Sequence, residues 1–436
     1  MALFFVLALT IGGGGSPAPL SELILELLAV LTATLILVGV PGSPDLRRVP
    51  RTAWIIAAVI IALPLVQLIP LPPFIWHALP GRELQRDALA LVGQQASWRS
   101  WTLAPHRTFA SLLSLGPPLL MLIMTSAVGV RGRTVLVGSL IVAASATLLL
   151  GAVQLTTGES DAVLTGFQAN RNSTADLLLA AIVAVPLMVQ LVAARRRHST
   201  NPLVVLGIAG AGMLVFAAAV VLTGSRAGMI LLPIALLAGL WLLRGRIKLT
   251  TRTLMLALGG LLIAIIGSYF AALSNPTLTR IFSRFSLFSE EFRPQLWRDG
   301  MFVVQQHFPF GVGMGNFVPA LVADERLEVI VPLLPNRAHN DFIELAAEAG
   351  AFGMLALSAI SLLLSRAALR TRRLVQVESS GLLFFAATTL GLFALHSLVD
   401  YPFRSMSLAS LGAVCGGLLC TPRSVGTKAN RGSDTV

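Results

Sequence analysis

The run from Pro202 to Leu222, PLVVLGIAGAGMLVFAAAVVL, holds 21 residues without a single charge. At 1.5 Å per residue it is long enough to cross a ~30 Å hydrocarbon core, and it reads as a transmembrane helix. A tight polar turn follows, Thr223-Gly-Ser-Arg-Ala-Gly228, and then a second apolar run at 227–243. This alternation of apolar block and short polar turn recurs along the chain. Twelve blocks fall near residues 2–15, 20–40, 52–71, 108–128, 134–156, 173–193, 202–222, 227–243, 253–274, 339–364, 380–399 and 405–420.

Composition agrees. Only 12% of the 436 residues are charged, about half the share of a soluble domain, and mean hydropathy is +0.82. Soluble globular, coiled-coil, disordered and disulfide-scaffold classes are excluded. Cys415 and Cys420 both lie in the last apolar block and make no redox or zinc framework. The expected fold is all-α and polytopic, with about 12 transmembrane helices. The first block is short and runs into Gly12–Gly15, so spanning, re-entrant and cleaved-signal readings all stay open.

Net charge is +12, but no basic stripe interleaved with aromatics points to nucleic acid. The basic residues instead sort by loop. Alternate connections and the tail hold 19 of the 32 lysines and arginines against Asp45, Glu378 and Asp434 alone. By the positive-inside rule these face the cytoplasm with both termini, and the other loops face out. The expected organisation is an N-terminal bundle of about nine spans over 1–274, a large outer loop at 275–338 carrying short amphipathic helices, three spans over 339–420, and a disordered tail at 421–436.

Chemistry is expected on the outer side, because the basic loops are short. Loop 72–107 carries Trp76, Trp98 and Trp101, which suit interfacial anchors. Asn172-Ser-Thr fits a glycosylation sequon. Gly311-Val-Gly-Met-Gly315 is similar to a dinucleotide loop, but Asn316 stands where the third glycine belongs. Arg226, on its turn, suits phosphate recognition; a snorkelling anchor or helix cap is the plainer reading. Arg280, Arg284, Arg293 and Arg298 lie among Phe282, Phe285, Phe288, Phe292 and Trp297, as in a surface helix that either holds an anionic headgroup or only anchors the loop.

In Asn336-Arg-Ala-His-Asn-Asp341, Asn340 is a good N-cap, with Asp341 and Glu344 in the following first turn. His339 then precedes a helix N-terminus, whose dipole disfavours imidazolium and leaves a ring able to accept a proton. A structural histidine is the alternative. His396 and Asp400 are four apart at a span's end and suit either substrate binding or, preferably, locking of the helix end. A transporter or flippase would need ionisable groups near the midplane. Glu22, Glu26 and Asp176 are the few candidates, while the informative residues cluster at the outer surface.

Taken together, these motifs resemble the O-antigen ligase and polymerase superfamily. His339-Asn340, nine residues and Gly350-Ala-Phe-Gly353 repeat its H-N-x9-G-x-x-G pattern. Arg293-Pro-Gln-Leu-Trp297 looks like its R-x-x-x-W element, and Pro309 to Phe317 looks like its glycine-rich segment. Thr223-Gly-Ser-Arg226 is similar to its arginine turn. The ligase-like core is expected over about 205–365.

The resemblance implies a glycosyltransferase of the bacterial inner membrane, with a periplasmic site and no metal or other cofactor. Its donor would be an undecaprenyl-diphosphate-linked glycan, and its acceptor a hydroxyl of the lipid A core or of a lipid-linked repeat unit. Arg226 and Arg293 would bind the diphosphate, and His339 would orient or deprotonate the acceptor, with inversion at the anomeric carbon. Asn340, Trp297, Gly350 and Gly353 would support. A ligase is favoured over a polymerase; membrane lipids are partners, and nucleic acid is not.

Overall fold

A computed structural model describes residues 1–14, 19–157, 163–195, 201–244, 293–324, 335–374 and 377–420. The expected span at 253–274 lies outside the described residues. So do the arginines and phenylalanines at 280–292, which were read as a surface helix, and the tail.

The described chain is helical almost throughout. In order come α1 (Ala2–Ile11), α2 (Pro19–Val38), α3 (Arg51–Leu68), α4 (Pro73–Trp76), α5 (Glu83–Leu91), α6 (Pro105–Ser114), α7 (Gly116–Ala127) and α8 (Val130–Thr157). Then follow α9 (Arg171–Arg195), α10 (Pro202–Leu222), α11 (Arg226–Leu243), α12 (Arg293–His307), α13 (Phe317–Asp324), α14 (Asp341–Leu374), α15 (Val377–His396) and α16 (Met406–Leu419). Among the described residues, seven helical stretches are long and apolar enough to cross a membrane, and four further apolar helices are shorter. Eleven of the twelve sequence blocks thus correspond to apolar helices, of which seven reach spanning length.

α9 is the axis of the bundle. Leu177 through Ala184 are fully buried, because α8, α10, α11 and α15 surround it. A helix that is apolar all round can be buried all round, and this one is. α2 is the opposite case: Leu23, Leu27, Leu31 and Leu35 are exposed, as expected of a face that lipid covers.

α1 settles into the bundle through Phe4, Phe5, Ala8 and Leu9. Its end is tied down where the Ser407 amide donates to Gly12 O at 3.0 Å and the Ala169 amide to Gly13 O at 2.7 Å.

One expectation is refined and one needs correction. The block read as a span at 339–364 does fall in a helix long and apolar enough to cross a membrane, but that helix is broken. α14 would run about 51 Å if continuous, well beyond a ~30 Å core. It breaks at Gly350 (φ 55°, ψ −143°), which leaves a short helix before the break and about 24 residues after it. Trp76 is not an interfacial anchor. It is fully buried, its indole donating to Ser97 O at 3.0 Å. Two short antiparallel strands, β1 (Pro70–Leu71) and β2 (Arg99–Ser100), close the loop over it.

Candidate functional site

The segments that hold the sequence motifs meet at one end of the bundle, where α12, α14 and α15 start or finish. α14 begins as its sequence dictates. The Asn340 carboxamide oxygen accepts from the Phe342 and Ile343 amides at 3.0 and 3.1 Å, which makes Asn340 the N-cap. Its Nδ2 donates to Leu398 O at 2.8 Å, so the same side chain ties α14 to the turn after α15.

His339 stands just before this cap with φ 49°, the one non-glycine of positive φ among the described residues. A left-handed backbone at a residue with a Cβ costs roughly 1–3 kcal/mol and persists only where its surroundings impose it. Here they do. The Trp297 indole donates to His339 O at 3.2 Å, and the Tyr401 ring packs edge-on at 4.9 Å.

The imidazole meets Asp400, with Nδ1 3.1 Å from Oδ1. The Asn172 carboxamide donates to the other oxygen, Oδ2. Burial raises the Asp400 carboxyl, but the His339 hydrogen bond and the surrounding positive field, Arg293 included, outweigh it. The group is held below its ordinary value. A carboxylate can only accept, so Nδ1 donates to Asp400, and Nε2 is the ring nitrogen turned away from it. The His339 side chain is 26% exposed and Asp400 3%, so the ring looks outward from a buried partner.

The spacing of Arg293 and Trp297 now has a reason. Four residues apart on α12, they share a face. Trp297 grips the His339 carbonyl, while Arg293 Nη1 donates to Val399 O at 2.8 Å, next to Asp400. Arg293 is half-buried beside the histidine–aspartate pair.

Arg226 is the first residue of α11 and is half-buried. It follows Ser225, whose hydroxyl caps the helix through the Gly228 amide at 3.1 Å. Gly228 faces Ala175 of α9, less than one turn from Asn172. The structure therefore gathers His339, Asn340, Arg293 and Trp297 directly, and sets Arg226 on the adjoining helix start.

Gly350 and Gly353 act through shape. A Cβ at Gly350 would fall 2.0 Å from Pro309 O, and its positive φ already disfavours any other residue. The break frees backbone groups, and the glycine-rich segment takes them up. The Val312 and Gly313 amides donate to Ala347 O and Glu348 O at 2.9 and 2.8 Å, and the Ala351 amide to Pro309 O at 2.9 Å. This is what the apparent dinucleotide loop is for. A Cβ on Gly353 would meet the Ala349 methyl at 2.6 Å, so the second glycine keeps the turn after the break clear.

Behind the site lies a closed ionic cluster. Arg404 reaches Glu348 at 2.6 Å, Glu344 at 3.5 Å and Asp341 at 3.7 Å, and Arg337 meets Glu344 at 2.9 Å. Burial disfavours the Arg404 charge, but three carboxylates overcompensate and hold its guanidinium above its ordinary value. Glu348 also accepts from the Gly315 amide at 2.9 Å, coupling the glycine-rich segment to the cluster.

Sequence reasoning missed Asp400 as the partner of His339, and Asn172 and Tyr401 with it. Asn172 is 7% exposed and engaged by Asp400, so its side chain is no open modification site. His396 and Asp400, read as one helical face, serve two different partners: Asp400 takes His339, and His396 takes Asp176 at 2.7 Å. Asp176, near the start of its span and weighed as an ionisable group for transport, thus has a partner.

No curated protein matches the chain. Residues 211–358 match the family model described as O-Antigen ligase, a stretch that runs from α10 through the first part of α14 and holds Arg226, Arg293, Trp297, His339, Asn340, Gly350 and Gly353. The chain thus carries, over roughly a third of its length, a domain of the O-antigen ligase superfamily.

Proposed function

We propose that the protein is a glycosyltransferase of the O-antigen ligase type. It moves a glycan from undecaprenyl diphosphate to an acceptor sugar hydroxyl at the periplasmic face of the bacterial inner membrane. The observation that carries the reading is the His339–Asp400 contact, with Nε2 turned away from its buried partner and Arg293 alongside.

In this reading the acceptor hydroxyl donates its proton to His339 Nε2 as its oxygen attacks the anomeric carbon. The bond to the diphosphate breaks, with inversion, and Asp400 stabilises the imidazolium that forms. Arg293 and Arg226 neutralise the departing diphosphate by charge-assisted hydrogen bonds. No metal is required by this scheme, and transfer by purified protein is expected to survive chelators. The twelve-span topology with cytoplasmic termini, which the arginine-rich loops support, puts the cluster on the donor's side of the membrane; cysteine labelling of 275–338 from the cytoplasmic side would refute it.

The deciding experiment is a gel of surface lipopolysaccharide beside lipid-linked intermediates, from a deletion strain complemented with wild type or His339→Ala. Bare core with long polymer stranded on the polyprenyl carrier supports the ligase. Core capped by a single repeat unit, without long polymer on either lipid, would make the protein a polymerase of repeat units instead.

A further inference from the structure

Beneath His339 and Asp400 lies a second acid–histidine pair that the proposed reaction does not use. His396 Nδ1 is 2.7 Å from Asp176 Oδ1, and the two side chains are 0% and 2% exposed. His396 Nε2 is buried with no hydrogen-bond partner among the described residues. Two polar side chains sealed among apolar helices are costly, and an apolar pair would fill the space without that cost. The pair therefore needs a reason beyond packing.

Its register supplies one. Asn172 meets Asp400 and Asp176 meets His396, so two residues one turn apart on α9 face two residues four apart at the end of α15. The rungs run antiparallel, and together they allow one alignment of the two helices. Apolar side chains would tolerate a slip by a turn of about 5.4 Å; a hydrogen-bonded pair specifies its register. The upper rung is the one that touches His339. The turn bearing Asp400 also hangs from His396 itself, since the Val399 and Asp400 amides both donate to His396 O at 2.9 Å.

We propose that His396 and Asp176 are positioning residues. They lock the end of α15 against α9 so that Asp400 presents Oδ1 to His339. The inference rests on the roles given to His339 and Asp400 above.

The test is steady-state transfer from lipid-linked donor by purified full-length protein, comparing wild type, His339→Ala, the double variant Asp176→Leu/His396→Leu, and the swap Asp176→His/His396→Asp. The leucine pair leaves no orphaned polar group. It is expected to accumulate like wild type and keep its donor KM, with kcat lowered about ten- to a hundredfold by the misplaced Asp400. The swap restores a hydrogen-bonded rung and should recover most of that loss. A leucine pair with wild-type kcat, a change confined to KM, or a swap no better than the leucine pair would each overturn the proposal. If the leucine pair does not accumulate, kcat of the swap decides; if neither accumulates, the pair is a folding determinant only and the proposal falls. His339→Ala keeps the two claims apart. Retained transfer there sinks the reading of the site, whereas a dead His339→Ala beside a fully active leucine pair sinks only this inference.

Discussion

Two polar clusters share the start of α14, and they follow opposite rules. The Arg404 cluster is closed: two arginines and three carboxylates face one another, and Glu344 and Glu348 are wholly buried. The His339 cluster is open: Asp400 is engaged on both oxygens, yet the imidazole it holds keeps one nitrogen without a partner among the described residues. The first arrangement has its charge spent on holding segments together. The second has been built to leave one valence for something else. The difference teaches where to look for chemistry: at the group whose partner is buried and which itself is not.

The comparison can be broken at its two centres. His339→Ala should lower transfer by about 10²–10⁴-fold, the usual worth of a general base. It should cost far less stability than activity, since the ring is a quarter exposed and gives up one edge-on contact with Tyr401 and one hydrogen bond to Asp400. Arg404→Met should do the reverse. It leaves Asp341 and Glu348 without a cation, Glu344 keeping Arg337, and should cost about 3–5 kcal/mol of stability, read as lost accumulation or a lowered unfolding temperature. Activity per folded molecule should suffer far less. If both variants lose activity and stability in the same proportion, the distinction between the clusters is wrong.

Asp400→Asn sharpens it. An amide can offer Nδ1–H the same acceptor but cannot balance an imidazolium, so kcat should fall about a hundredfold or more while donor KM holds. Gly350→Ala tests the scaffold the clusters share. The added methyl meets Pro309 O in a backbone region that L-residues avoid, and about 1–3 kcal/mol of destabilisation is expected. The smallest effect is in pH. A carboxyl held below its ordinary value contributes stability that is fully present above about pH 4 and is lost as pH falls through the lowered value. Acid destabilisation should therefore be shallower in Asp400→Asn than in wild type.

Much of this was legible in the sequence, and what was not has physical causes. Uninterrupted apolar runs announce helices because lipid leaves the backbone no other partner, and Asn340 announces a helix start because its side chain caps one. Arg293 and Trp297 could be paired by the resemblance of their spacing to an R-x-x-x-W element, and the helix shows why that spacing puts them on one face. Asp400 could not be assigned to His339 by any spacing, since the two are joined across the ends of different helices and only packing brings them together. The Gly350 break was hidden inside an apolar run, where a glycine says nothing of its own φ. Trp76 misled for a related reason: a tryptophan beside an apolar block suits the interface, until two short strands fold a loop over it.

The most direct test of the central claim is a double-mutant cycle on transfer rate, with wild type, His339→Ala, Asp400→Asn and the double variant, each purified and assayed on the same lipid-linked donor. If Asp400 acts through His339, removing it from His339→Ala should cost nothing further, and the double variant should be as slow as His339→Ala alone. Losses that simply multiply would contradict the account, because they would mean that the two residues serve the reaction independently.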